Sequence, residues 1–350
     1  MADRAFFIAN AGAFTAARVI DVDSGGLAVS GTHSTAQVRS LRAQFPELAL
    51  IAEPDTPEHH HAKPDKLGPA SDDENQLFPS LDAIQAQRDA GATVVMPRLG
   101  HIQAADSDSL RAALRWCDEL EGDDVAPHLA LAPTWLTVES DLQLLTKIVT
   151  RSVHPLLLSF SSNKNPLDGA KALAGHSRLF DEVGRAAVPW RTDQAGLHGY
   201  ARGALGMGVG LIPSNRRSTG PDNEGKARRP QDRTPYVFIP DMLRYVQAST
   251  LQREWFVSRS APNCLCRVCN GRPIDRFSDS DADRDEAHHH SVAAMQELFA
   301  QLAGINDRAL AWRKLREDAI VRHRSLGAEI SRNVRVPADL AAWAKLDRTA

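Results

Sequence analysis

Three of the four cysteines of this 350-residue chain, Cys264, Cys266 and Cys269, fall inside the six-residue run CLCRVC. Thiols this close together form no useful disulfides with one another. Grouped in one short stretch, they are a ligand set for a metal ion that accepts sulfur. Zn²⁺ prefers four tetrahedral donors drawn from Cys and His, and the nearby histidines are His288, His289 and His290. His290 stands directly before the periodic stretch SVAAMQEL, where a rigid element would hold it, so it is preferred over His289. The expected site is Cys₃His with no open position, hence structural. It would pin the loop carrying SDSDADRDE to a helix that begins after His290.

The carboxylates form a second set. Asp23 lies in IDVDSGGLAV, Glu53 and Asp55 in AEPDTP, and Asp193 in RTDQAG, each directly after an apolar run. One carboxylate can act as a nucleophile and another can carry a proton. A third feature is the stretch 214–233, SNRRSTGPDNEGKARRPQDR, with six basic and three acidic residues among Gly, Pro, Ser and Asn. It reads as a basic loop, either solvated or gripping phosphates through Arg216, Arg217, Arg228 and Arg229. His59, His60 and His61 also follow a strand-like run, and either touch substrate or sit on an exposed loop.

The elements that position these residues alternate. AFFIAN, ARVIDVD, LALIAE, TVVMPR, HLALAPT, HPLLLSF, AVPWRTD and VGLIPSN read as strands. Between most of them lie amphipathic helical stretches such as SLDAIQAQRDAG, SDSLRAALRWCDELEG and VESDLQLLTKIVTR. This order predicts a parallel α/β fold, an irregular (β/α)8 TIM-type barrel over residues 1–240. The irregularity is at the start, where no helix fits between AFFIAN and ARVIDVD. In such barrels chemistry sits after the strands, which singles out Asp23, Glu53, Asp55, Arg98, Thr134, Ser161, Asp193, Ser214 and Asn215. Past Pro240 the pattern changes. DMLRYVQASTLQREWF reads as helical, an appended zinc-binding subdomain is expected over 241–312, and a charged helical tail over 313–350.

Composition bounds the rest. Hydrophobic residues make up 43% and charged residues 24%, with a formal net charge of −3. That is ordinary globular usage and lacks the basic excess of a general nucleic-acid binder. No apolar run approaches the roughly 20 residues of a membrane span, so a cytoplasmic protein with no membrane partner is expected.

The CxCxxC group with a distant His, appended to a β/α barrel, resembles the zinc site of tRNA-guanine transglycosylases. IDVDSGGLAV resembles the DSGG segment of that family, in which the Asp lies beside guanine and its ribose. AEPDTP is similar to the strand end carrying the base-recognising Asp, and ARGALGMGVGLIPSNRRSTG to the last barrel strand and its basic loop. The four occur in the family's order across residues 18–302. The resemblance implies base exchange: a carboxylate attacks ribose C1′ and expels guanine, and a 7-deazaguanine such as 7-cyano-7-deazaguanine then displaces the enzyme. It implies catalytic roles for Asp23 and Asp193, substrate contacts from Ser24, Gly25, Gly26, Glu53 and Asp55, DNA or tRNA as partner, and a homodimer or a partner subunit.

The sequence also departs from the family. The window Gly206 to Pro213, GMGVGLIP, contains no carboxylate where the family nucleophile belongs, and DSGG arrives within the first 26 residues. The order of preference for a relocated nucleophile is Asp23, Asp193, Glu53. A compact, divergent chain of this kind looks closer to the bacterial branch that inserts 7-deazaguanines into DNA. The alternative is a non-catalytic, zinc-containing nucleic-acid-binding subunit.

Overall fold

Runs of Val, Ile, Leu and Phe with no alternating polar residue suit strands covered on both faces, as in parallel sheets flanked by helices. In the computed structural model, which describes residues 1–10, 12–54, 59–68, 79–162, 165–167, 169–223, 232–331 and 334–349, such runs become β1 (Ala5–Ala9), β2 (Gly25–Ser30), β3 (Ala49–Glu53), β4 (His128–Leu131), β5 (Leu156–Phe160), β6 (Ala187–Pro189) and β7 (Met207–Gly210). Every residue of these strands is buried. The chain divides into two compact units, Met1–Ala13 with Val22–Gly225, and Phe14–Asp21 with Lys226–Ala350.

The first unit is mixed α/β. One parallel sheet has the order β3-β2-β1-β7 and a second the order β4-β5-β6. Neither ladder closes on itself. Isolated parallel bridges lie at their edges: Ile51 to Val94, Val95 to Val125, and Thr192 to Val209. Helices Ser34–Gln44, Pro79–Asp89, Ser107–Asp118, Glu139–Val149, Ala170–Val183 and Gln194–Ala201 fall between strands, as parallel connections require. Helix Ser107–Asp118 shows why: Asp106 caps Ser109 N at 3.0 Å, and Leu110, Ala113, Leu114 and Cys117 are buried on it. One apolar cluster gathers Phe6, Ala28, Ile51, Met96, Ala126, Leu157, Val188 and Trp190, drawing on both sheets.

Two expectations are corrected here. ARVIDVD is not a strand; helix Ala13–Ala17 runs into turns there, and the strand is Gly25–Ser30. Residues Phe14–Asp21 instead belong to the second unit, where Gln296 pairs with both Asp21 N (2.9 Å) and Asp21 O (2.7 Å), and Arg267 donates to Val19 O at 2.7 Å. Nor is DMLRYVQAST one helix. Residues Arg244–Gln247 form β9, paired antiparallel with β8 (Tyr236–Ile239), and Leu243 takes the left-handed conformation (φ 46°) at the turn.

The rest of the second unit is built on helices Asp281–Ala303, Arg308–Glu329 and Ala338–Thr349. The first begins earlier than the sequence suggested. Ser280 caps Asp283 N, and Asp281 and Asp283 occupy the first turn, where the helix dipole favours negative charge. The acidic run is therefore largely helical, and His290 sits within the helix rather than before it. Among the described residues no helix is long and apolar enough to cross a membrane.

Candidate metal centre and carboxylate cluster

In the second unit, strand Asn263–Cys264 pairs antiparallel with Arg272–Pro273, and the chain between them reverses through Asn270 (φ 47°) and Gly271 (φ 82°). Asn270 N and Gly271 N donate to the carbonyls of Cys266 and Cys264 at 3.0 and 2.9 Å. This knuckle turns all three thiols towards His290, whose Nδ1 lies 3.5, 3.4 and 3.2 Å from the Sγ atoms of Cys264, Cys266 and Cys269. The four donor atoms lie within 4.8 Å of one another, and all four cysteines of the chain are free of disulfides. Cys266, Cys269 and His290 are buried, whereas Cys264 is partly exposed.

His290 Nε2 donates to Phe238 O at 2.6 Å, which leaves Nδ1 as the donor facing the thiols. Arg276 donates to Cys269 Sγ at 3.2 Å and to Glu286 Oε1 at 3.0 Å while its guanidinium lies 4.0 Å over the Phe277 ring. This buried Cys₃His group can bind a metal ion. His290, not His289, completes it. Phe238 and Arg276 carry no sequence signature; only the fold brings them to the site.

In the first unit a different cluster forms where β2, β3, β5 and β6 end. Arg191 forks onto Glu53, with Nε to Oε1 at 3.0 Å and Nη2 to Oε2 at 3.1 Å, and Nη2 also donates to Ser30 Oγ at 2.7 Å. Trp190 Nε1 donates to Glu53 Oε1 at 2.6 Å. His128 Nε2 is hydrogen-bonded to Ser159 Oγ at 2.7 Å, and Ser159 Oγ to Ser218 Oγ at 2.7 Å. All of these side chains are buried, Glu53 completely.

Burial opposes the charge on Glu53, but Arg191 and the hydrogen bonds it supplies hold that carboxyl below its ordinary value. Burial pushes His128 down to about 4, so it is neutral beside the ion pair. Arg191 has φ 51°, uncommon for a residue with a side chain and a mark of backbone constrained by its surroundings. Sequence reasoning missed Arg191 and His128. The signal available was position alone, Arg191 lying just past a strand.

The other expected residues scatter. Asp23 and Ser24 lie in the turn before β2, where Arg4 donates to the carbonyls of Val22 and Gly25. Because Ser30 pairs with Glu53 at the far end of β2, the strand alone sets Asp23 about 16 Å or more from Glu53, on the opposite edge of the sheet. Gly25 and Gly26 are buried β residues rather than positive-φ turn positions. A Cβ on Gly26 would stand 2.4 Å from the Phe6 ring, so this glycine makes room for packing.

Asp193 lies on the same edge as Glu53, just past β6, and its side chain caps helix Gln194–Ala201 through Ala195 N at 3.2 Å. Burial raises its carboxyl above the ordinary value. Arg216 donates to the carbonyls of Gly210 and Leu211 at 3.0 and 2.9 Å, and Arg217 is partly exposed. Asp55, Arg228 and Arg229 lie outside the described residues.

No family model and no curated protein matches this chain. The site therefore rests on its own geometry.

The window without a carboxylate also has a physical account. A Cβ on Gly208 would meet the Trp190 ring at 2.2 Å, and one on Gly210 the Asn215 carbonyl carbon at 2.1 Å. β7 is a strand against which an indole and a returning backbone pack, leaving no space for a larger side chain at either position.

Proposed function

We propose that the first unit is an irregular (β/α)8 barrel and that the protein is a divergent base-exchange transglycosylase of nucleic acid, DNA before tRNA, with a structural zinc ion. The isolated parallel bridges support the barrel, since they join the sheet edges in chain order through 93–96 and 125–126, as does the apolar cluster fed from both sheets. Zinc suits a closed set of three thiolates and one imidazole. Cys264, Cys266, Cys269 and His290 would hold it, and its part is to fix the fold of the second unit.

The observation that carries the catalytic reading is Asp193. It stands at the C-terminal end of β6, is anchored by its own helix, and has a carboxyl raised by burial. Its ionised form, held out of water, serves as the nucleophile: the carboxylate oxygen bonds ribose C1′ as the bond to guanine breaks, and guanine leaves with the bonding pair and takes up a proton from water. An incoming 7-deazaguanine then gives its ring proton to water, attacks C1′ and frees the carboxylate. Asp23, on the opposite edge, is left out of this step.

The test is incorporation of labelled guanine and 7-cyano-7-deazaguanine into duplex DNA and tRNA by wild type, Asp193→Asn and Asp23→Ala. Label is expected in DNA with wild type and Asp23→Ala, and not with Asp193→Asn. Label surviving in Asp193→Asn, or absent from wild type, defeats the reading.

The packing of Gly208 and Gly210 favours one second reading, a non-catalytic subunit that binds nucleic acid through the basic loop beside an active partner. It predicts DNA binding by wild type and Asp193→Asn alike, with no exchange by either.

A further inference from the structure

The segment 217–222 runs as a strap along the strand ends of the first unit and faces inward at alternate residues. Ser218 bonds Ser159, and its backbone bridges to Ser161. Gly220 lies flat on His101: a Cβ there would stand 3.3 Å from Nε2 and 3.4 Å from Cδ2 and Cε1. Asp222 Oδ1 accepts from His61 Nε2 at 3.1 Å, and the His61 and His101 rings meet edge to face, centroids 5.6 Å apart.

Beneath and beside this strap several polar atoms are buried without a partner among the described residues. Those without a hydrogen bond are both ring nitrogens of His101, Nδ1 of His61 and Oγ of Ser161, while Nδ1 of His128 faces Glu53 Oε1 at 3.8 Å. His101 is only 7% exposed, and its two orphaned nitrogens stand out because buried polar groups are nearly always hydrogen-bonded. Leaving such atoms unpaired is costly, so a fold that retains them at the strand ends of a parallel α/β unit has a use for them.

We propose that residues 217–222 roof a ligand site, and that His101 contacts the ligand there by hydrogen bonding through a ring nitrogen. Glu53 is paired with Arg191 and Asp222 is hydrogen-bonded to His61, so the groups left with hydrogen-bonding capacity beneath the strap are imidazole nitrogens and a hydroxyl. Such groups suit a ligand that offers both hydrogen-bond donors and acceptors. A nitrogen heterocycle and a sugar each have this chemistry, and the choice of a guanine nucleoside as probe rests on the proposed base exchange.

The experiment is titration calorimetry of wild type, His101→Leu and His101→Gln with guanosine, guanine and ribose, alongside thermal unfolding of each protein. Guanosine is expected to bind wild type, to bind His101→Leu at least tenfold more weakly, and to recover to within a few-fold in His101→Gln. The melting temperature of His101→Leu should hold or rise, because an apolar side chain has no nitrogens to leave unpaired. Guanine binding without ribose binding assigns the contact to the base; the reverse assigns it to the sugar. Equal guanosine affinity in wild type and His101→Leu overturns the proposal and leaves the exchange reading standing. Absence of guanosine binding by wild type also overturns it, and the incorporation assay then judges the exchange reading separately.

Discussion

Arg191 and Glu53 make a two-pronged ion pair at 3.0 and 3.1 Å with 5% and 0% of the two residues exposed, and Arg191 makes it from a left-handed backbone (φ 51°). Such a pair is fixed by its surroundings, because separating it leaves a buried charge alone.

Glu53→Gln is therefore expected to destabilise the first unit by about 3–5 kcal/mol, measured by urea unfolding at neutral pH. The pH dependence has a definite sign. The folded carboxyl lies below its ordinary value of 4.5, so its contribution is complete above that value and is lost as pH falls through 4.5 towards the folded value. Wild type should lose stability over that acid window, and Glu53→Gln should lose less.

Asp193 behaves oppositely. Burial raises its folded carboxyl above the ordinary 3.8, so the native state holds that proton more tightly and stability declines as pH rises from 3.8 towards the folded value. Asp193→Asn keeps a side-chain oxygen for the cap on Ala195 N and removes the ionisation. It should unfold at a higher urea concentration than wild type at neutral pH, whereas Asp193→Ala should cost about 1 kcal/mol relative to Asp193→Asn through the lost cap.

One metal ion per chain is expected at the Cys₃His group, measured by elemental analysis of the purified protein. Chelation, or Cys269→Ser, should unfold the second unit's knuckle and lower its melting temperature. Arg276→Met removes the guanidinium from Cys269 Sγ while leaving all four ligands, and should weaken metal retention about 10–100-fold in a chelator competition.

Placing a carboxylate on β7 should fail. Gly210→Asp places a Cβ at 2.1 Å from backbone, which no side-chain rotation relieves, and the variant is expected to be insoluble or unfolded. Gly208→Ala meets the Trp190 ring at 2.2 Å and should cost about 1–3 kcal/mol or more by overpacking, read by the same urea unfolding.

The sequence by itself determined what depends on local pattern and on residue type. Unbroken apolar runs marked β1, β3, β4, β5 and β6, because a strand covered on both faces tolerates no polar alternation. Helices Ser107–Asp118 and Glu139–Val149 were legible from their apolar spacing, and the metal group from three thiols that have no other economical use. Only the tertiary structure decided the rest. Residues 17–23, ARVIDVD, read as a strand because Val19 and Ile20 suit one, but Gln296 and Arg267, far along the sequence, hold the backbone of Asp21 and Val19 instead. DSGG carries the same letters at either end of a strand, and the β2–β3 register places Asp23 away from Glu53. Arg191, His128 and His101 acquire meaning through partners, or the lack of them, brought together by parallel strands. Such neighbours are distant in sequence, and residue spacing carries no record of them.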